Sequence, residues 1–314
     1  MNTFKKIGLT ALASSLVVTS AVAGEISVAG GASIGVKNTS KTATGKSWTM
    51  GNQLTFSGSG ELDNGMNVSV SFVLDQGDDT AVTSGPFDSH SVTVSSDSMG
   101  TLVFSGEGGS SAQTAIDTTA AGDLWNNGSG ITGALASEAG NNSLMYTFPS
   151  IMDDMTIKAS YSPGSAGGGS ATAWSAGFTG VEGLSVDIGI GQTETIGSKA
   201  EHTTMKASYA ISSFTIGYSN TESDGTNVTN EEMSSWNLAY TVSDDMSITY
   251  GTETLDTTGS AVDEEMEGFG ISYTTGGVTI SANQYNASGV GNTATESPTA
   301  GEKERWALGA SFAF

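Results

Sequence analysis

In segment after segment from Glu25 onward, apolar side chains recur at every second position, and the residues between them stay polar. Met66, Val68, Val70, Phe72 and Leu74 alternate with Asn67, Ser69 and Ser71. Leu184, Val186, Ile188 and Ile190 alternate with Ser185 and Asp187, and Trp306, Leu308, Ala310, Phe312 and Phe314 alternate with Arg305 and Ser311. Period two marks a strand with one apolar face. A soluble strand alternates too, but here the second face is Ser, Thr, Gly and charge throughout, with no second core for it to join. A large closed barrel with lipid outside and water inside accounts for both faces. Closure leaves no unpaired edge, and lipid demands that every backbone group be paired.

The alternating segments are Glu25 to Lys37, Gln53 to Leu62, Met66 to Asp75, His90 to Asp97, Gly100 to Glu107, Asn142 to Pro149, Met155 to Ser162 and Ala171 to Gly180. They continue as Leu184 to Glu194, His202 to Ile211, Phe214 to Glu222, Glu232 to Val242, Met246 to Leu255, Met266 to Thr274, Val278 to Asn286 and Glu304 to Phe314, which makes sixteen. Seven short turns, among them Asp63-Asn64-Gly65, Val181-Glu182-Gly183 and Thr275-Gly276-Gly277, alternate with eight longer links. Their Gly, Asn, Asp and Ser suit tight hairpins. Long links at one end, with short turns and both termini at the other, are the connectivity of an even-stranded up-and-down outer-membrane barrel. The expected fold is therefore all-β: a 16-stranded antiparallel transmembrane β-barrel, wide enough for an aqueous channel. On the outward register Phe148, Tyr209, Tyr240, Tyr273 and Phe314 fall near short-turn ends and Tyr218 near a long-loop end, the places of interfacial girdles.

One stretch, between Glu107 and Asn142, has no period. Loops beyond about 12–15 residues are uncommon in compact domains and usually functional. This one carries Asp117, Asp123 and Glu138, with Glu107 at its root, and contains no Lys or Arg. Joining neighbouring strands of a closed barrel, it has the length to fold back into the lumen, narrow it and set its charge. Residues 108–141 are the candidate constriction loop.

Residues 1–23 read as a signal peptide: Lys5 and Lys6, the apolar run Ile7 to Val18, and the small-residue site Ala21-Val22-Ala23. The remaining barrel domain is 24–314. An apolar run this short does not span a bilayer as a helix, which takes about 20 residues. Of ten basic residues two go with the leader, against 33 acidic residues that remain. Such a balance excludes nucleic acid as a partner, since phosphate binding needs Lys and Arg, and favours cations over anions. With no cysteine, stability rests on packing and backbone pairing.

Catalytic chemistry is missing. Gly31-Ala32-Ser33-Ile34-Gly35 matches G-x-S-x-G but lies within a strand with no helix after it. His90 and His202 have no triad or metal partner in sequence. Carboxylates at Asp75, Asp78 and Asp79, and at Asp263, Glu264, Glu265 and Glu267, offer oxygen ligands for Ca²⁺ or Mg²⁺, though without EF-hand spacing. Both groups fall in links on the outer side, where divalent cations would bridge them to lipopolysaccharide. No cofactor is otherwise required.

The opening strand EISVAGGASIGVK, the segment GTLVFSGEG before the long loop and the ending ERWALGASFAF resemble those of the alphaproteobacterial, Gram-negative general diffusion porin family. The resemblance extends from the leader to Phe314, whose strand is similar to the C-terminal signature read by outer-membrane assembly machinery. It implies a homotrimer of 16-stranded barrels in the outer membrane, with the third long loop folded inward. The family lines its eyelet with a basic cluster facing an acidic loop. This chain departs from that pattern, with Arg305 its single arginine and few lysines.

Read by alternation, the inward register carries Glu25, Lys37, Glu61, Asp187 and Glu253 as lumen lining, and Lys158, Lys206 and Arg305 as wall residues opposite Glu107, Asp117, Asp123 and Glu138. Lys158 and Lys206 share register with Thr156, Ser160, Thr204 and Ser208, and a lysine facing mid-bilayer lipid would cost about 2–4 kcal/mol. The expected function is passive diffusion of small hydrophilic solutes and ions with a preference for cations. Two competitors remain: a substrate-selective channel, which one solute would block saturably, and a non-transporting surface β-protein such as an adhesin or array protein. The small residues Ala29, Gly30, Gly31 and Ala32 hint at a subunit seam.

Overall fold

The computed structural model describes residues 25–40, 45–75, 87–116, 141–164, 169–295 and 300–314. They form sixteen strands: β1 (Glu25–Thr39), β2 (Lys46–Glu61), β3 (Asn67–Asp75), β4 (Ser89–Ser96), β5 (Gly100–Glu107), β6 (Ser143–Thr147), β7 (Met155–Ser162) and β8 (Ser170–Val181). Then come β9 (Leu184–Thr195), β10 (Ser198–Ile211), β11 (Phe214–Thr226), β12 (Glu231–Ser243), β13 (Met246–Thr257), β14 (Glu264–Thr275), β15 (Val278–Val290) and β16 (Gly301–Ala313). Each strand pairs with its sequence neighbours, and β16 pairs antiparallel with β1, closing the barrel. All sixteen segments expected from the alternation are strands.

The differences lie at one end. β2, β10 and β16 begin earlier than the alternation predicts, and β11 and β15 run on longer. In the extensions of β10, β11 and β16 the outward positions include Glu201, Asp224 and Glu302, whereas the extension of β2 carries the exposed Trp48 and Met50 outward. In β10, β11 and β16 backbone pairing continues above the apolar band, where side chains no longer meet lipid tails, so the apolar signal stops before the strand does; in β2 the outward Asn52 interrupts the alternation between Met50 and Leu54. Between β9 and β10 the link is the two-residue turn Ile196-Gly197.

The outer surface is apolar in mid-strand, with Ile190, Ile216 and Leu308 about half exposed. Aromatics bound this band on both sides. Tyr209, Tyr240 and Tyr273 stand near the short turns, with Phe214 packed on Tyr240 at 4.7 Å between ring centroids. Toward the long-loop end stand Tyr218, Trp236, Tyr250, Phe269 and Trp306, of which the sequence names only Tyr218 for a girdle, while Trp174 stacks on Phe148 at 6.0 Å between ring centroids. The inner face departs from the polar expectation at one place. Met233 and Leu255 pack together, as do Met266, Ala287 and Val290, all buried on the inward register. They sit in the long-loop half, where the outward face has left the bilayer and apolar residues find partners only on the inside.

The seam between the terminal strands is tightly built. From Gly31 opposite Ala313 to Thr39 opposite Arg305 the register is unbroken. Gly30 N–H donates to Phe314 O at 2.7 Å, and Phe314 N–H returns the bond to Gly30 O at 3.0 Å. A Cβ at Gly30 would collide with the Phe314 ring, so only glycine lets the last side chain lie across the first strand.

Candidate functional site

After β5 the chain turns into the barrel. Ser111, Ala112 and Gln113 are buried, unusual for a small polar loop segment, because they lie on the lumenal wall of β7, β9 and β10. Ala112 N–H donates to Ser160 Oγ at 2.8 Å, and Gln113 Nε2 donates to Thr204 Oγ1 at 2.6 Å. Thr204 Oγ1 is itself 3.1 Å from Thr221 Oγ1, so the anchor continues onto β11. Ser111 caps the single helical turn Thr114–Ile116: its Oγ accepts from Thr114 N–H at 3.0 Å and its carbonyl from Ala115 N–H at 2.9 Å. At Gly189 a Cβ would come within 3.1 Å of Gln113 Cα, so the loop backbone lies flat on β9 only because that wall position has no side chain. The inward course of Ser111–Ile116 agrees with what the length of the stretch suggests. The anchors Gln113 and Gly189 were not legible in the sequence, the one hint being a glycine at an inward strand position.

The expected site residues fall into three places. Lys158 on β7, Asp187 on β9 and Lys206 on β10 share the wall that carries the loop. Asp187 stands opposite Lys206 across the ladder and accepts from Ser185 Oγ at 3.2 Å. Lys158 and Asp187 line a cavity of about 180 Å³ together with Ala115 and Ile116, at the foot of the inserted loop. Arg305 lies eight strands around a sixteen-strand ring from β8, so it faces this wall across the lumen rather than joining it. Lys37 is on β1, one rung from Arg305 on the same face. Glu253 is on the inward register of β13 and buried; Glu61 closes β2 at the short-turn rim, Glu25 opens β1, and Glu107 ends β5 on the inward register. Asp117, Asp123 and Glu138 lie outside the described residues.

The carboxylate groups do not converge. Asp75 ends β3, and Asp78 and Asp79 lie outside the described residues. Strand alternation sends Glu264 inward and Glu265 outward, immediately after the exposed Asp263. Glu264 Oε1 accepts from Gly291 N–H at 3.1 Å, while Glu267 Oε2, on the outer face, accepts from Tyr250 Oη at 2.9 Å. Among the described residues no three His, Asp or Glu side chains are grouped to hold a metal ion. Outside the barrel Glu265, Glu267, Glu302 and Glu304 share a groove of about 400 Å³ along β13–β16.

Solved structures match the whole barrel. An anion-selective porin from Comamonas acidovorans is 14% identical with TM-score 0.73, the match covering 93% of this chain and 100% of that one. OmpT of Vibrio cholerae, in a trimer form, is 15% identical with TM-score 0.70, over 93% and 100%. A mutant porin of Rh. blastica is 14% identical with TM-score 0.67, over 92% and 100%. At these identities the likeness is one of fold. A search of curated proteins finds no match. The family model described as Gram-negative porin matches residues 8–314 and agrees with the closed sixteen-strand barrel: this chain belongs to the Gram-negative porins, channel proteins of the outer membrane and not enzymes.

Proposed function

We propose that the channel is a general diffusion pore for small hydrophilic solutes and ions, preferring cations, with the loop 108–141 as its constriction. The observation that carries this is the seating of Ser111–Ile116 on the lumenal wall beside Lys158, Asp187 and Lys206. It starts the loop across the lumen, and the acidic residues that follow, Asp117, Asp123 and Glu138, outnumber the two lysines on that wall. Excess carboxylate in a narrow, low-dielectric passage concentrates cations. The related Comamonas acidovorans porin is anion-selective, so this barrel serves either sign and the charge must be read from the chain itself.

The test is reversal potential in a planar bilayer under a salt gradient. Cation preference that weakens in Asp117→Asn/Asp123→Asn is expected, and a preference for anions, or none, removes the charge argument. A saturable block by one neutral solute would favour the selective-channel reading instead.

Three further parts belong to this proposal. Cleavage after Ala23, with a mature chain from Gly24, is checked by the intact mass of the protein from outer membranes. Assembly as a homotrimer, engaging the outer-membrane assembly machinery through the Phe314 strand, is supported by the trimer form of OmpT. The sector β1–β5 fits the seam: at the short-turn side its outward residues are Ile26, Gly58, Gly60, Val68, Val94 and Leu102, with no aromatic among them. Divalent cations bridging the outer carboxylates to lipopolysaccharide complete the outer rim.

A further inference from the structure

We propose that the barrel seam holds a lumenal binding site for small oxoanions, built on Arg305 and Lys37. Across the inner faces of β15, β16, β1 and β2 lies a cavity of about 290 Å³, and its polar lining includes Arg305, Lys37, Asn283, Thr49, Ser33 and Ser281. Arg305 is 7% exposed, and its Nε and Nη1 have no hydrogen-bond acceptor. A guanidinium stays charged in proteins and cannot neutralise itself by losing a proton. One this buried needs a partner, since a desolvated charge without one is costly.

Register explains why the partner is not a carboxylate of the wall. Arg305 is level with Thr39, Tyr285, Gly268 and Gly251 along neighbouring strands. Lys37 is level with Ser47, Ala307, Asn283, Gly270 and Thr249. Neither row contains an acid. The buried carboxylate of this sector, Glu253, is one rung higher, level with Met266, Ala287 and Lys303, where it has a cation in its own row. Two positive charges therefore stand on adjacent rungs of one face, diagonal neighbours about 7–8 Å apart by Cα in ordinary sheet geometry.

Small residues leave the hollow: Ala307 stands in the Lys37 row, and one rung further Gly309 is level with Gly35 and Ser281. Gly309 is the clearest case: a Cβ there would meet only Ile34 O at 3.6 Å and Ser281 Oγ at 3.8 Å, ordinary contacts, and a longer side chain would extend into the cavity. Asn283 can present its amide N–H, and Thr49, Ser33 and Ser281 supply hydroxyls. Two cations, several neutral donors and a small volume suit a phosphate or a short carboxylate, which take charge-assisted hydrogen bonds from guanidinium and ammonium. A cation-preferring pore would thus carry a stop for anionic solutes on the wall opposite its loop.

The inference rests on the pore reading only in taking the interior as wet, so binding and conductance are measured separately. Folded protein in detergent is titrated calorimetrically with sodium phosphate and, in parallel, sodium acetate, against sodium chloride. The same anions are then added to single channels in a bilayer. Saturable binding of one or both anions is expected, weakened at least tenfold in Arg305→Gln and in Gly309→Leu, which fills the hollow without removing charge. Lys199→Gln, on the outer rim, should bind as the parent does. The anion that binds tighter identifies the class, phosphate or carboxylate. Gly309→Leu and Lys37→Gln carry the test if Arg305→Gln does not fold. Binding without conductance keeps the site and removes the pore reading. No saturable binding of either anion to folded protein, or binding unchanged in both Arg305→Gln and Gly309→Leu, overturns the proposal.

Discussion

Replacing Gln113 by Ala should lift the first leg of the inserted loop from its wall. Gln113 is fully buried, and its amide donates to Thr204 Oγ1 at 2.6 Å. A hydrogen bond of this kind contributes about 0.5–1.5 kcal/mol net, and stranding polar atoms in a dry contact adds about 1 kcal/mol. Thr204 keeps Thr221 and Ala112 keeps Ser160, so the loss is partial, about 2 kcal/mol. At about 1.4 kcal/mol per factor of ten, the lifted population rises about 30-fold. The chain has no cysteine, so Ser111→Cys gives a unique, nearly isosteric thiol at a buried position. Its labelling by a water-soluble thiol reagent reports opening of the segment, as exchange does for a protected amide. Labelling should quicken about 30-fold when Gln113→Ala is added, and single-channel currents should become noisier while the barrel's heat-modifiable band is unchanged. Equal labelling rates in the two backgrounds, with folded barrels in both, would refute the anchoring role of Gln113.

Other outcomes follow from the faces, the seam and the rim. Ile216→Arg, on the lipid side, should lower the folded fraction in bilayers by about 2–4 kcal/mol, while Thr215→Arg, one residue away and facing the lumen, should cost little, as titration of folding by gel shift will tell. Gly30→Val overpacks the contact with Phe314 and should cost about 1–3 kcal/mol, read from the urea dependence of the same gel shift; a wild-type midpoint would show the ring moves aside freely. Chelator should lower the thermal stability of the protein in lipopolysaccharide-containing membranes, and neutralising Glu265, Glu267, Glu302 and Glu304 together should abolish that sensitivity. Indifference of the parent protein to chelator would count against divalent bridging.

The barrel was legible because a strand between lipid and water must alternate, and the alternation names the inward side of Lys158, Lys206 and Arg305 without any tertiary information. Strand ends were less so: above the bilayer the outward positions become Glu222 or Glu302, and nothing local separates such a residue from a loop. The packing of Met233 on Leu255 inside the barrel was hidden for the same reason, since apolar residues at the rim reverse the face they mark elsewhere. Gln113 and Thr204 meet across most of a hundred residues, and that contact leaves no mark in either neighbourhood. Arg305 and Lys158 share a register but stand on opposite walls, a separation set by ring closure, not by period.

The pairing of β1 with β16 also fixes an order of events in time. Every other strand pair of the barrel joins neighbours in sequence and can form locally, but the pair from Gly31–Ala313 to Thr39–Arg305 joins strands at opposite ends of the barrel sequence. Loop closure over so long a span is entropically the costliest contact, so this pair is expected to form after the local ones. Until then the growing sheet has two open edges that would pair with other chains. Phe314, bonded to Gly30 through both its N–H and its carbonyl, belongs to the contact that closes the ring, and deletion of Phe312–Phe314 should yield aggregates rather than a slightly smaller pore.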